Sequence, residues 1–380
     1  MDEAKKTGAG GRLLCLDAVR GFCMICILGL NEWFVALLSL FPGGKDSWLA
    51  QQFKHVKWDG LAIEDLFFPT FLFVAGASFP FSLAKQEANG VSRWRTVRKV
   101  VTRGVVLVLL GFFYKRVQNF EFDMDHLARL CSVLGRIGVS WMIAALAWLA
   151  LRKNWARALF GVAALFAYWA VNRYIGAPDY PNAPLFSKLG SFTGYFDRMV
   201  LTSCPYCGGD GFVSEGPFGC ISASVTALLG MFSGEWLRGA GRRGGGRTAL
   251  FMVVAAGALL AAGWGFSYLM PVNKKMWSSS YVLVAGGIAL ASLAAAYWTL
   301  DVKGWTVKFS TAFRLVGMNS IFLYIAPVVI NFPYATDAFV GGIRRFLPEA
   351  VGDFVWWTVF IGLNWLLGIF LYRKKVFIKV

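Results

Sequence analysis

The chain has 380 residues, 57% hydrophobic, 16% aromatic and only 16% charged, with a net charge of +17. That is too apolar for a water-soluble globular protein, and the apolar segments run over the whole length, so one polytopic domain over 1–380 is expected. The positive charge does not point to nucleic acid: the basic residues sit in short loops between apolar segments, with no aromatic-interleaved basic patch or known binding module.

Lys5, Lys6 and Arg12 precede an apolar stretch without a small-residue cleavage site. This reads as the cytoplasmic flank of a first spanning helix and not as a removed signal peptide. Windows of about 20 apolar residues predict about ten spans, at 14–40, 61–83, 100–119, 130–151, 155–175, 217–238, 248–270, 281–300, 312–331 and 354–372. Lys115, Arg116 and Arg136 interrupt the third and fourth. The fold class is therefore an all-α polytopic membrane protein.

Basic residues recur in alternate loops: Lys85 to Arg103, Arg152 to Arg157, Arg238 to Arg247, Lys303 to Arg314, and the tail Arg373, Lys374, Lys375 and Lys379. The positive-inside rule then puts both termini in the cytoplasm, and places His55, the long 176–216 loop and Lys274 on the outer face. That loop carries Pro178, Pro181, Pro184 and Pro205 and is long enough to serve as a lid or substrate platform. Ala/Gly-rich segments at 253–265 and 285–296 suit close helix packing. No internal repeat is evident, which counts against a secondary transporter.

Ionisable and amide groups in or beside spans are the candidates for chemistry. Asp17 and Arg20 are three apart on one helical face, either as an ion pair at the interface or as a site where Arg20 meets an anion. Asn31 is an interhelical hydrogen-bond partner or an active-site amide. His55, one of two histidines, stands among Lys54, Lys57 and Asp59, just before Glu64, Asp65 and an apolar run. An ordinary loop histidine is the bland reading; with a carboxylate orienting the ring it is a general base.

His126 reads as solvated surface. Arg129 and Arg136 lie two helical turns apart and want carboxylates, carbonyls or a ligand anion. Cys204 and Cys207 suit a disulfide or loop staple better than metal, since no further ligands are near in sequence. Cys15, Cys23, Cys26, Cys131 and Cys220 suit a small core residue. Asn273, Lys274, Trp277 and Ser280 suit a sugar or a phosphate, or an interface anchor.

Taken in order, these motifs resemble a known family. Leu16-Asp17-x-x-Arg20-Gly21, Asn31, and His55-x-x-Trp58-Asp59-Gly60 lead into Asp65-Leu-Phe-Phe-Pro69. Val133-Leu134-x-Arg136, Gly194-Tyr195-Phe-Asp197-Arg198, Glu215-Gly216-x-x-Gly219, Pro271-x-Asn273-Lys274-x-x-Trp277 and Gly317-Met-Asn319-Ser320 follow. The set is similar to the heparan-α-glucosaminide N-acetyltransferases and their bacterial relatives.

The resemblance implies a multi-spanning enzyme of the bacterial inner membrane, working as a homodimer. It would move an acetyl group from cytoplasmic acetyl-CoA to the amine of an amino sugar, with no metal. It puts the active-site histidine on His55 and the active-site asparagine on Asn31; the carboxylates placed by the sequence to orient the ring are Glu64 and Asp65. Arg20, Asp17, Trp58, Asp59, Arg129, Arg136, Glu215, Asn273, Lys274 and Trp277 become candidates for binding donor or acceptor. The sequence departs from the pattern in a long Asn31–His55 interval and in Ser214, where a proline is usual. O-acylation of an envelope sugar and solute transport are the alternatives.

Overall fold

The structure is a computed structural model describing residues 13–119, 131–201, 211–305 and 308–377, and all regular structure in these residues is helical. His126, Arg129, Cys204 and Cys207 lie outside the described residues. In chain order the helices begin with α1 (Leu14–Ile25), α2 (Asn31–Ser39), α3 (Trp48–Gln52), α4 (Glu64–Ala77), α5 (Phe79–Ala88) and α6 (Arg93–Asn119). There follow α7 (Val133–Ala150), α8 (Asn154–Ala170), α9 (Phe192–Val200), α10 (Gly219–Arg238), α11 (Ala240–Arg243) and α12 (Gly245–Ser267). The last five are α13 (Ser279–Ala296), α14 (Lys308–Met318), α15 (Ser320–Val329), α16 (Phe332–Arg344) and α17 (Glu349–Arg373).

Eight helical runs among the described residues are long and apolar enough to cross a membrane, and a ninth arises if Ala312–Met318 and Ser320–Val329, bent by 79°, form one span. These mark an integral membrane protein. The sequence expectation of about ten also included 100–119. That stretch is the C-terminal part of α6, a 27-residue helix whose Arg93, Arg95, Arg98, Lys99, Arg103, Lys115 and Arg116 leave only a short apolar middle. The segments 253–265 and 285–296 meet each other: a Cβ on Gly287 would come within 2.9 Å of Leu260 and 3.1 Å of the Ala256 carbonyl.

The chain forms two compact units. The first comprises 1–57, 61–71 and 292–380. Here α1 starts against Asp301, whose two carboxylate oxygens accept from the backbone N–H groups of Leu14 and Cys15, each at 2.9 Å. A helix N-terminus exposes unsatisfied donors and a positive dipole end, and a carboxylate answers both. Asp301→Ala is expected to lower stability by about 1–2 kcal/mol, with Asp301→Asn intermediate because it keeps one acceptor. Thermal unfolding of the purified protein in detergent checks this.

The first span does not run straight. Residues Cys26–Leu30 form a wide π-type turn in which Gly29 adopts φ 125°, a conformation other residues avoid, with the Trp357 ring packed against it. The chain restarts as α2 at Asn31, and Trp33 Nε1 donates to Thr358 Oγ1 on α17 at 2.8 Å. The long interval after Asn31 is taken up by a 3₁₀ turn, Gly44–Asp46, and by α3. Phe53 then stacks on Phe34 at 5.0 Å, returning the chain to the first turn of α2. At the other end of this unit, Asn319 occupies the bend between α14 and α15, and its amide donates to Val376 O at 2.9 Å.

The second unit comprises 58–60 and 72–291, with α10 packed on α5, α7 and α8. The segment between α8 and α10 contains α9, and Arg198 braces it by a bidentate pair with Asp179 at 2.7 and 2.9 Å. The hydrogen bonds from Arg198 hold the Asp179 carboxyl below its ordinary pKa. The free thiols Cys15, Cys23, Cys26, Cys131 and Cys220 are all buried.

Candidate active site

In the first unit, the sequence places His55 at the end of a loop and Asp65 in the opening turn of α4, and the fold brings them together. His55 Nδ1 lies 2.9 Å from Asp65 Oδ1. Asp65 Oδ2 accepts from the backbone N–H groups of Val56 (3.3 Å) and Ala62 (3.2 Å), so the carboxylate cannot rotate freely. The exposures differ sharply: the imidazole is 58% exposed, while the Asp65 side chain is 2% exposed. Glu64, also buried, reaches within 3.9 Å of Nε2.

An ionised carboxylate only accepts, so the ring proton belongs on Nδ1 and the lone pair on Nε2. Pro69, five residues into α4, has no N–H for the Asp65 carbonyl and loosens the turn that carries both acids. The same unit holds Asn31, whose Oδ1 is buried without a hydrogen-bond partner. It also holds Arg20, 3.6 Å from the buried Asp17 carboxylate. Asp301, Gly29 and Asn364 carry no motif signal and escaped the sequence reading.

In the second unit the remaining motifs converge on residues 271–280. Asn273 Nδ2 donates to Asp59 Oδ1 at 3.1 Å, and Asn273 Oδ1 accepts from Met276 N at 2.9 Å. Gly60 N donates to Val272 O at 2.8 Å, and Trp58 Nε1 to Phe186 O at 3.0 Å. Trp277 is fully buried at φ 56°, an unusual backbone for a bulky residue and the mark of a tightly determined turn. Its Nε1 donates to Thr226 Oγ1 at 3.2 Å, and its carbonyl accepts from Ser222.

Arg136 is 2% exposed, with its guanidinium 5.2 Å from the Trp277 ring centroid and Nη2 donating to Gly216 O at 3.2 Å. Those contacts use only part of its donor capacity, and its Nε is buried without a hydrogen-bond partner. Glu215 and Lys274 are half-buried at the edges of this cluster. Among the described residues, no cluster of His, Cys, Asp and Glu is placed to hold a metal ion.

Asp197, on α9, is 1% exposed, and its Oδ2 accepts from Val213 N at 3.2 Å. Burial pushes this carboxyl up to about 7; the Val213 N–H, Arg136 and Arg198 pull it back, and Glu215 adds to the rise. A raised carboxyl stabilises the fold fully below the unfolded value of about 4, and that contribution fades as pH rises through about 7. Wild type is therefore expected to lose on the order of 2–4 kcal/mol relative to Asp197→Asn between pH 5 and 8.5. Paired melting curves across that range test it; parallel curves would refute it.

Comparison with known proteins follows this geometry. A family model described as a domain of unknown function (DUF5009) matches residues 12–157. Heparan-alpha-glucosaminide N-acetyltransferase of Homo sapiens is 27% identical over 427 aligned residues, covering 97% of this chain and 60% of the relative. The protein of that name from Mus musculus is 26% identical over 433, covering 100% and 62%. The chain thus spans about three-fifths of the length of these relatives. The similarity to these two relatives extends over nearly the whole of this chain.

Proposed function

We propose that the chain is a transmembrane acetyltransferase that moves an acetyl group from cytoplasmic acetyl-CoA to the amine of a glucosamine-type sugar on the outer face. The observation that carries this reading is the exposed His55 ring held by the buried, backbone-anchored Asp65. Acetyl transfer from a thioester to an amine needs a base for the ammonium proton and a donor for the developing oxyanion.

His55 Nε2 takes the first proton from the acceptor ammonium. The freed amine attacks the thioester carbonyl, a C–N bond forms, and the C–S bond breaks as the second nitrogen proton goes to the departing thiolate. Asp65 and Glu64 stabilise the imidazolium that results. The Asn31 amide is assigned to the oxyanion, and Arg20, at the cytoplasmic end of α1, to a donor phosphate. Within the second unit, Trp277 and Arg136 fix the loop that carries Asn273 and Lys274.

Reconstitution into sealed vesicles tests the reading. With acetyl-CoA on one side and glucosamine on the other, thiol release should depend on the sugar, and N-acetylglucosamine should not replace it. Thiol release with the N-acetylated sugar alone would favour O-acylation, and solute flux without thiol release would sink the enzyme reading.

A further inference from the structure

In the second unit, α6 has two unlike faces. One packs on α7: a Cβ on Gly138 would lie 2.7 Å from Gly104 O, and the Arg103 guanidinium lies 4.4 Å from the Trp141 ring centroid. At the start of the helix Arg93 donates to Leu149 O, while Arg157 donates to Leu151 O at 2.8 Å and to Trp148 O at 3.1 Å. Arg93 and Arg157 therefore answer the carbonyls left open at the C-terminus of α7.

The open face differs. Trp94, Arg95, Arg98 and Lys99 are exposed, Trp94 to 74%, and among the described residues none of these three cations has a carboxylate partner. Like charges three and four residues apart repel, and the first turn of a helix favours acids, of which α6 has none there. Val101, Val105, Leu109 and Phe113 follow along the helix in steps of four, so they share one face, and each is exposed. At about 1.5 Å per residue this stripe is about 18 Å long, close to one leaflet of a hydrocarbon core of about 30 Å.

We propose that this face of α6 binds an anionic phospholipid, with Arg95, Arg98 and Lys99 on its headgroup phosphate and an acyl chain laid along Val101, Val105, Leu109 and Phe113. The site shares no residue with those assigned to acetyl transfer and stands whether or not that reading holds. Membrane orientation asks only for cations in a loop, at any angle around the helix. Here they stand at the head of an apolar stripe, which is the layout of a phospholipid. A net negative headgroup supplies the charge that the chain withholds, and each cation near an anionic surface adds to the attraction. A zwitterionic lipid brings the same phosphate together with an ammonium that the three cations repel. The exposed Trp94 indole, beside Arg95, suits the headgroup level. A soluble phosphate ester would answer the cations and leave the stripe uncovered.

Calorimetric titration of the purified protein in detergent with dioctanoyl phosphatidylglycerol should show binding that dioctanoyl phosphatidylcholine does not match. Arg95→Gln, Arg98→Gln and Lys99→Gln together should weaken it about tenfold or more, on the order of fivefold for each cation that meets the phosphate. Arg238→Gln, Arg243→Gln and Arg247→Gln remove the same charge from exposed positions elsewhere in this unit and should stay within about twofold of wild type. Because the first variant relieves like-charge repulsion, its lipid-free melting temperature should hold or rise, which a purely structural role would not give. Should it misfold, a phosphatidylglycerol with a diazirine in its acyl chain provides the second measurement on wild type, with crosslinks expected between Val101 and Phe113. Equal affinity for the two lipids, equal loss in the two variants, or crosslinks elsewhere overturn the proposal. Displacement of the lipid by CoA would give the cations to a soluble phosphate, and a chain-to-chain disulfide through Leu109→Cys would give the face to a second copy; either result also overturns it.

Discussion

Asp65→Asn is expected to lower kcat/KM for acetyl transfer by about 10²–10⁴, nearly as much as His55→Ala, although it changes one atom. The reason lies in how the carboxylate is held. Val56 N and Ala62 N both donate to Oδ2, so the asparagine oxygen is drawn to that position. Its amide nitrogen then occupies the Oδ1 position, 2.9 Å from His55 Nδ1, and must donate there. A donor facing Nδ1 forces the ring proton onto Nε2, and the face that should accept a proton now carries one.

His55→Ala removes the base outright, for about 10²–10⁴ in kcat. Both variants should bind CoA as wild type does, since neither residue is assigned to the donor. Glu64→Gln should be milder, because its 3.9 Å separation from Nε2 offers charge stabilisation without a direct bond. Kinetics on purified protein, with folding checked by melting curves, decide the matter. An Asp65→Asn variant within tenfold of wild type would remove Asp65 from the mechanism.

The parts of this arrangement that could be read from the residues are those fixed by short spacing. Asp65 opens a helix immediately after the loop that carries His55, and ten residues of chain suffice to bring the two together. The apolar runs likewise marked their helices, with boundaries moved by a few residues. Contacts across the sequence left no local trace. Asp301 caps a helix 286 residues away, and nothing in its neighbourhood distinguishes it from any acid at the end of a span.

Gly29 sits in an apolar run that reads as unbroken helix, and only its positive φ reveals the turn. At α6 the expected segment 100–119 lies within a longer helix that begins at Arg93 and continues through cations counted to the preceding loop. Arg136 was legible as a buried cation in need of partners. That the partners are a carbonyl and a tryptophan face depended on three distant segments meeting.

The largest stability effect is expected where α1 crosses α14. A Cβ on Gly21 would lie 1.8 Å from Phe313 O, and one on Gly317 would lie 2.2 Å from Asp17 O. Both obstacles are backbone, which no rotamer change can move, so the helices themselves must separate. In membranes, small residues at such crossings replace the hydrophobic drive that lipid does not supply.

Gly21→Ala and Gly317→Ala should therefore each destabilise the protein by about 1–3 kcal/mol or more, against the ordinary helix preference for alanine of up to about 1 kcal/mol. The sign distinguishes the two effects. Gly257→Ala on α12, where a Cβ meets nothing within 4 Å, is the control and should be neutral or stabilising. The double variant should lose less than the sum of the singles, because the first substitution already opens the crossing that the second would clash with. Since α1 and α14 also carry Asp17, Arg20 and Phe313, separation should weaken donor binding along with stability. Additive losses in the double variant, or a gain in either single, would mean that the backbones do not approach this closely in the membrane.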